Sequence, residues 1–536
     1  MSPFRRVLTN ALVLSLAAAA FGPGAARAQF YDPALRSLDL VTDVARSARL
    51  QGMGGLSLAV PDHDNHLTLW DFANSPLGAF GEDSVGTFDL RPALGSASNV
   101  HDLPLGQRQH LAGRMTSLQF ESFYRDHRSS AYGVVGRLNS LRRDTPYSND
   151  LELRRSVGVP EVMPIFNGPF PHFGGGKLRY AVRLRFGGEH QVDQYRRITT
   201  NPNGEFLSLD GATVPTPVFF QPDEYRVNTS GLGGGLSYPL GAHTVLAVGL
   251  DAVEQRIKGS NNSERYSAER RETRPYTVGQ ASLIGRLGPA LEYAVDGRAW
   301  RGTSEESWYF TISAGVGAEP LIGRGKLLER EEEGSALKSR VLVHAGNLEL
   351  AGGFWTRASR VDVAPPDGSD LTSFNRFLNT VYYRQNADSL AKPDSVTTNQ
   401  IRDYAWGYGF GASLRTGRSI LGAEWHWSRD LYTQTLAGDG PKAIEWDFRS
   451  GWEYECTSII MGRIGYGYRW WDQDDFVRMN EFKGNSASMG LGLRPAGASW
   501  SFEGAWTFAW HQSDYGDPTG RRGTRQLLAT QVHWDF

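Results

Sequence analysis

The chain has 536 residues, with 56 Lys and Arg against 58 Asp and Glu and a formal net charge of −2. That balance lacks the basic excess a phosphate backbone demands and argues against nucleic acid as a partner. The one cysteine, Cys456, rules out an intramolecular disulfide and multi-cysteine metal sites and is expected as inert packing. Residues 1–28 read as a secretory signal. Arg5 and Arg6 supply the positive start, residues 7–20 the apolar stretch, and Ala26-Arg27-Ala28 a small-x-small cleavage site. The rival, a helical anchor, is weakened by Thr9, Asn10 and the break at Gly22-Pro23-Gly24. Beyond this segment no apolar run reaches about 18 residues, which excludes helical membrane spans.

Residues 29–83 differ in texture from the rest and are expected to form a separate N-terminal segment. Leu38, Leu40, Val41, Val44 and Leu50 have helical spacing. Ala45-Arg46-Ser47 then leads to Gly52-Met53-Gly54-Gly55-Leu56-Ser57-Leu58, followed by Asp62-His63-Asp64 and Asn74-Ser75-Pro76-Leu77-Gly78. Gly54 and Gly55 suit a tight turn or a close approach to another backbone.

From about residue 84 to 536 the dominant period is two, which sends alternate side chains to opposite faces of a strand. Tyr404, Trp406, Tyr408, Phe410 and Leu414 share one face, opposed by Ala405, Gly407, Gly409, Gly411 and Ser413. Leu421, Ala423, Trp425 and Trp427 oppose Gly422, Glu424 and His426, and Ile464, Tyr466, Tyr468 and Trp470 oppose Arg463, Gly465 and Gly467. Trp500, Phe502, Trp506, Phe508 and Trp510 face away from Glu503 and His511, and Tyr180, Val182, Leu184 and Phe186 away from Arg179, Arg183 and Arg185. A soluble sandwich explains the apolar rows but neither the aromatic excess nor the glycines of the polar rows. A closed transmembrane barrel explains both. Lipid-facing positions must be apolar, Trp and Tyr settle at headgroup level, and the lumen accepts Gly, Ser, Glu and Arg. Closure also leaves no unpaired strand edge in hydrocarbon.

The last segment places Leu528, Thr530, Val532, Trp534 and Phe536 on one face. A closing strand with an aromatic end resembles the signal by which outer-membrane barrels are recognised for assembly, so Val532, Trp534 and Phe536 point to the barrel-assembly machinery as a partner. Short connections are expected at Gly241-Ala242, Gly288-Pro289, Gly346-Asn347, Gly417-Arg418, Cys456-Thr457 and Ala496-Gly497. Longer polar stretches near 259–272, 364–402, 431–441, 471–482 and 514–523 alternate with them. The expectation is an all-β, up-and-down antiparallel transmembrane β-barrel of about 14–18 strands, with register ambiguous around 176–200 and 303–340.

The opening of the chain also carries a resemblance. Ala45-Arg46, Met53-Gly54-Gly55, the acidic stretch at Asp62 and Asp64, and Asn74 with Pro76 resemble the start of the outer-membrane long-chain fatty acid and hydrophobic compound transporters (OmpP1/FadL-like barrels). The chain departs from that pattern at Ser75, Leu77, His63 and His66. The resemblance implies a small hatch of residues 29–83 inside the lumen of a 14-stranded barrel, and passage of fatty-acid or hydrocarbon molecules down their gradient. Outer-membrane lipid, lipopolysaccharide and a hydrophobic ligand are the partners it implies.

Other constellations weigh less. Asp62, Asp64 and His66 lack the spacing of a calcium loop and read as a solvated loop. The basic ladder of Arg179, Arg183 and Arg185 either orients a carboxylate or pairs with inward acids such as Asp251, Glu424 or Glu503, and pairing is favoured. Glu329, Glu331, Glu332 and Glu333 read as an acidic run in an outer loop. No nucleophile elbow, His-Glu-x-x-His or phosphate loop occurs, and no enzyme, metal or cofactor is expected. His426 with Ser428, or His511, is set inward by alternation alone. The alternatives to a transporter are a non-transporting barrel acting as scaffold or secretion partner, and a general porin.

Overall fold

A computed structural model describes residues 47–58, 60, 86–102, 108–125, 130–148, 151–170, 177–197, 224–241, 243–262, 266–312, 321–364, 399–434, 438–474, 479–514 and 521–535. A short helix, α1 (Ala48–Gly52), precedes eighteen strands. The first nine are β1 (Gly86–Asp102), β2 (Arg108–Arg125), β3 (Ala131–Ser148), β4 (Leu151–Pro169), β5 (Arg179–Arg197), β6 (Glu224–Pro239), β7 (Thr244–Asn262), β8 (Tyr266–Leu287) and β9 (Leu291–Ile312). The second nine are β10 (Leu321–Ala345), β11 (Leu348–Ala364), β12 (Asn399–Thr416), β13 (Ser419–Gln434), β14 (Gly438–Glu455), β15 (Ile460–Asp474), β16 (Met479–Leu493), β17 (Trp500–Asp514) and β18 (Arg521–Asp535). Each pairs antiparallel with its chain neighbours, and β1 closes on β18 with Leu90 opposite Val532 and Phe88 opposite Trp534. The count stands at the top of the expected range and corrects the fourteen that the resemblance implies.

Why the chain closes follows from the two faces of each strand. The outward register is apolar and open, as at Leu232, Leu250, Phe410 and Ile464, with Phe410 60% exposed. The inward register is polar and buried, as at Asp89, Glu121, Asp251, Glu424 and Arg463, with Glu424 only 2% exposed. An inside richer in charge than the outside reverses the arrangement of a soluble core and matches a wall between hydrocarbon and an enclosed lumen. Among the described residues every apolar row read from the sequence stands on the outward face.

All six short connections join strands at one end of the barrel, and Gly288, Gly346, Gly417 and Gly497 take the left-handed conformation there, with φ between 56° and 73°. The long segments 198–223 and 365–398 lie between strands at the other end. Crossing a bilayer takes about 9–11 residues of tilted strand. β8, β9 and β10 have 22, 22 and 25, so they continue past it on the loop end. Two expectations are corrected there. The stretch 259–272 is mostly strand, in β7 and β8, and Glu329, Glu331, Glu332 and Glu333 lie within β10 rather than in a loop. Glu332 accepts from Trp300 Nε1 at 3.2 Å, and Glu333 pairs with Arg360. Cys456 is exposed in the β14–β15 connection, not packed. Pro160 and Pro164 carry no N–H. Around them the β4–β5 register passes directly from Gly158–His190 to Glu161–Gly187, and from Val162–Phe186 to Ile165–Arg183.

Candidate functional site

The site is where the N-terminal segment lies against the inner wall. Ser47 caps α1, its hydroxyl accepting from the Leu50 amide at 3.2 Å. After Gly52 the chain turns through Met53, Gly54 and Gly55, the two glycines at φ 77° and 78°. It then extends so that Leu56 and Val60 reach β13 and Leu58 reaches β11 and β12. Met53, Leu56 and Val60 are fully buried and cluster with Leu50. Met53, Gly54 and Gly55 therefore lie in the lumen. Asn74, Pro76, the Asp62–His66 cluster and the rest of 29–83 fall outside the described residues, as do residues 1–28.

What receives the segment is a row of inward glycines on six consecutive strands. Leu58 meets Gly353 of β11 and Gly409 of β12, and Leu56 and Val60 meet Gly422 of β13. The Met53 backbone lies on Gly451 of β14, Gly54 on Gly465 of β15, and Gly52 on Gly490 of β16. A side chain at any of these positions would occupy the space the segment fills.

Charge then fastens it. Arg49 donates Nε and Nη2 to Glu453, both at 2.8 Å, and Arg463 donates to the same carboxylate at 2.6 Å while also pairing with Glu503. Glu424 accepts from the Ser57 amide at 2.8 and 2.9 Å, from the Leu58 amide at 2.7 Å and from the Ser57 hydroxyl at 3.1 Å. His426 Nε2 lies 2.9 Å from Glu424, and Arg449 donates to the Gly55 carbonyl at 2.8 Å. The Gly54 amide donates to Ser488 Oγ, which itself donates to the Gly52 carbonyl at 3.2 Å. His426 is thus a partner of a docking carboxylate. The segment's own polar backbone is satisfied by wall side chains, as burial requires.

The opposite half of the lumen is tied by side chains alone. Arg183 pairs with Asp251, Arg185 and Arg137 flank Glu161 at 2.7 and 2.8 Å, and Arg179 donates to Asn167 at 3.1 Å. Of the acids offered as partners for the ladder, Asp251 takes that part, whereas Glu424 holds the segment and Glu503 pairs with Arg463. Farther toward the loop end Arg330 links Glu272 and Glu306 at 2.7 and 2.6 Å.

Between the Gly54–Gly55 turn and strands β14–β18 a cavity of about 120 Å³ opens. Trp471, Phe482, Ala509 and Leu527 supply its apolar lining, and Asp447, Arg449, Arg469 and Arg525 its charge, with Arg449 paired to Asp447. Trp471 and Leu527 are buried, and the Phe482 ring stacks on His511 with centroids 5.1 Å apart. Sequence reasoning passed over Trp471, Phe482 and Leu527. The available signal was register, since each is bulky and apolar at an inward position among polar neighbours such as Arg469, Ser486 and Arg525. On the closing strand Val532 and Trp534 face outward, opposite Leu90 and Phe88 on one side and Phe502 and Trp500 on the other. Phe536 lies outside the described residues.

Gly54→Ala is expected to loosen the segment. An alanine at φ 77° costs about 1–2 kcal/mol, and its Cβ would lie 2.5 Å from the Ser450 carbonyl oxygen and 2.9 Å from that of Tyr466. Hydrogen exchange of residues 50–58 should accelerate roughly tenfold or more on that cost alone. Unchanged exchange would mean the turn is not held at the wall.

No protein-family model and no curated protein matches the chain. Among solved structures it is similar to a Pseudomonas aeruginosa FadL homologue, at 10% identity over 91% of this chain and 98% of that one, with a TM-score of 0.34. It is likewise similar to the Pseudomonas putida toluene transporter TodX, at 10% identity over 92% and 98%, TM-score 0.34. The ferric citrate transporter FecA in its unliganded form matches at 10% identity over 86% and 79%, TM-score 0.40. At these values no residue role is transferred from any of them.

Proposed function

We propose that the chain is an outer-membrane channel for passive uptake of hydrophobic small molecules of the fatty-acid or hydrocarbon class, with the N-terminal segment as its hatch. The observation that carries this reading is the cavity against the Gly54–Gly55 turn, walled by Trp471, Phe482 and Leu527 inside a lumen that also holds many buried charges. A greasy molecule entering from the loop end gains apolar contact there, next to the inward cluster of Met115, Leu141 and Leu527. Three arginines, Arg449, Arg469 and Arg525, against the one carboxylate of Asp447 leave the same cavity suited to a carboxylate head on such a molecule. Since Arg449 also holds the Gly55 carbonyl, an anion drawn to its guanidinium would compete with the segment for it. A general polar porin is disfavoured by a lumen narrowed by residues 47–58 along one wall and by the Arg183–Asp251 and Arg330–Glu306 pairs. In this reading the short turns face the periplasm, the long connections face outward, and Val532 and Trp534 belong to the assembly signal.

The test is uptake into proteoliposomes of a long-chain fatty acid and of a polar sugar. The fatty acid is expected to enter faster. Losing one buried aromatic contact of about 1.5–3 kcal/mol should cut occupancy of the cavity roughly tenfold or more in Trp471→Ala with Phe482→Ala. Equal entry of both solutes, or fatty-acid entry indifferent to the pair of substitutions, would overturn the proposal.

A further inference from the structure

The outward face of β12–β15 carries more than a belt of aromatics. Toward the loop end Trp406, Tyr408, Trp425, Trp427, Trp446 and Trp470 form a continuous plaque across the four strands. Ring centroids lie 4.6 Å apart for Trp406–Trp427, 5.6 Å for Tyr408–Trp425, 5.1 Å for Trp425–Trp446 and 6.4 Å for Trp446–Trp470. Toward the turn end the same rows continue as Ala412, Leu414, Leu421 and Ala423, so the plaque marks the outer headgroup boundary.

Just above the plaque three cations share that outward face. Arg429 stands opposite Trp406, Lys442 opposite Leu431, and Arg402 two residues beyond Tyr404. Among the described residues neither Arg402 nor Arg429 has a hydrogen-bond or ion-pair partner, and Arg429 Nε is buried without one. Another part of the barrel's outward face behaves differently. On β6–β8 Arg226 pairs with Glu224, Arg256 with Glu254, and Lys258 and Arg271 with Glu269. Beside Arg402 the acids Glu333 and Asp362 are engaged by Arg360, which stands directly opposite Arg402 and adds a like charge. Asp472, opposite Ile444, has a partner too, and Asp474 stands opposite Lys442 in the same register. Arg429 and Lys442 are diagonal neighbours, about 7–8 Å apart across adjacent strands.

We propose that this face binds lipopolysaccharide, a phosphorylated and multiply acylated glycolipid, with its phosphates on Arg402, Arg429 and Lys442 and its acyl chains along the aromatic plaque. Guanidinium and ammonium groups at a low-dielectric boundary bind phosphate through charge-assisted hydrogen bonds stronger than those made in water. Three cations spread over three strands call for a headgroup with more than one phosphate, which a singly charged phospholipid lacks. The proposal shares the outer-membrane assignment with the transport reading but not the lumen, so a failure of uptake leaves it standing.

Purified, delipidated protein in detergent is titrated separately with lipopolysaccharide, phosphatidylglycerol and inorganic phosphate, read by tryptophan emission and by native mass spectrometry. Lipopolysaccharide is expected to bind and shift the emission, with the other two producing no comparable change. The triple variant R402Q/R429Q/K442Q should weaken lipopolysaccharide binding about tenfold or more, whereas R226Q/R256Q on the paired face leaves it unchanged. Heat-dependent gel mobility reports that each barrel is folded, and the single variant R429Q gives a second reading should the triple fail to fold. Wild-type binding by R429Q and the triple variant overturns the proposal, as does equal affinity for phosphatidylglycerol, saturation by phosphate alone, or a second copy of the chain covering the plaque.

Discussion

Replacing Glu424 with Ala is expected to release residues 56–60 from the wall while the barrel stays closed. The Glu424 side chain has no exposure, and its two oxygens take the Ser57 and Leu58 amides, the Ser57 hydroxyl and His426 together. Truncation to Ala leaves two amides without acceptors and Arg449 with less counter-charge, and breaking such a buried arrangement costs about 3–5 kcal/mol. That is roughly a hundredfold to several thousandfold in the docked population. β13 itself keeps its backbone pairing to β12 and β14, so heat-dependent gel mobility should match the native protein. The informative readings are hydrogen exchange at residues 57 and 58 and conductance in planar bilayers, both of which should rise. Glu424→Gln should fall between the two, because its amide keeps one acceptor oxygen but turns an NH2 group toward donors. Unaltered exchange in the Ala variant would mean that Leu56, Leu58 and Val60 hold the segment by packing alone.

The barrel was legible because alternation in a strand records two different solvents at once. Phe410 and Gly409 differ by one position and by hydrocarbon against lumen, so the rows could be sorted without knowing a single partner. Turn glycines such as Gly346 and Gly417 were legible for a similar local reason, since a left-handed residue between two alternating runs has few other uses. The strand count was not legible, because β8, β9 and β10 extend past the hydrocarbon and there lose the apolar row that marks a strand. Arg271 beside Glu269 and Arg256 beside Glu254 pair along the outward face of the strand, and read in sequence they have the polarity of a loop. Long-range partners were illegible on principle. The Arg183 ladder could be placed inward by parity, but choosing Asp251 over Glu424 requires the neighbour order of β5, β6 and β7.

The docking site shows the same limit from the other side. Gly409, Gly422 and Gly465 were visible as inward glycines, yet such glycines record only that something comes close. The visitor lies hundreds of positions earlier in the chain, in Met53–Leu58, where Gly54 and Gly55 record the same closeness. Neither half names the other until the barrel closes and brings both to one surface.

Filling that row is therefore expected to expel the segment, and Gly451→Val with Gly465→Val should do so most completely. A Cβ at Gly451 meets the Met53 carbonyl, and a Cβ at Gly465 meets the Gly54 amide nitrogen and the Met53 carbonyl carbon. Both collisions are with backbone, which cannot rotate away as a long side chain would, so each exceeds the about 1–3 kcal/mol typical of overpacking. The wall itself should tolerate the change, because valine favours strands and β14 and β15 keep their ladders. Parity supplies the control. Gly353 is inward with Leu58 at 3.1 Å from its Cβ position, while its neighbour Gly352 is outward with nothing within 4 Å. Gly352→Val should leave hydrogen exchange of residues 50–58 and bilayer conductance unchanged, Gly353→Val should raise both modestly, and the Gly451/Gly465 pair should raise both strongly. The same substitutions distinguish docking from barrel stability, since an outward valine adds apolar surface to the lipid face and an inward one adds volume where the segment lies. If the double variant retained native exchange in residues 50–58, the glycine row would have no part in seating the segment, and the cavity beside Gly54 and Gly55 would lose its movable wall.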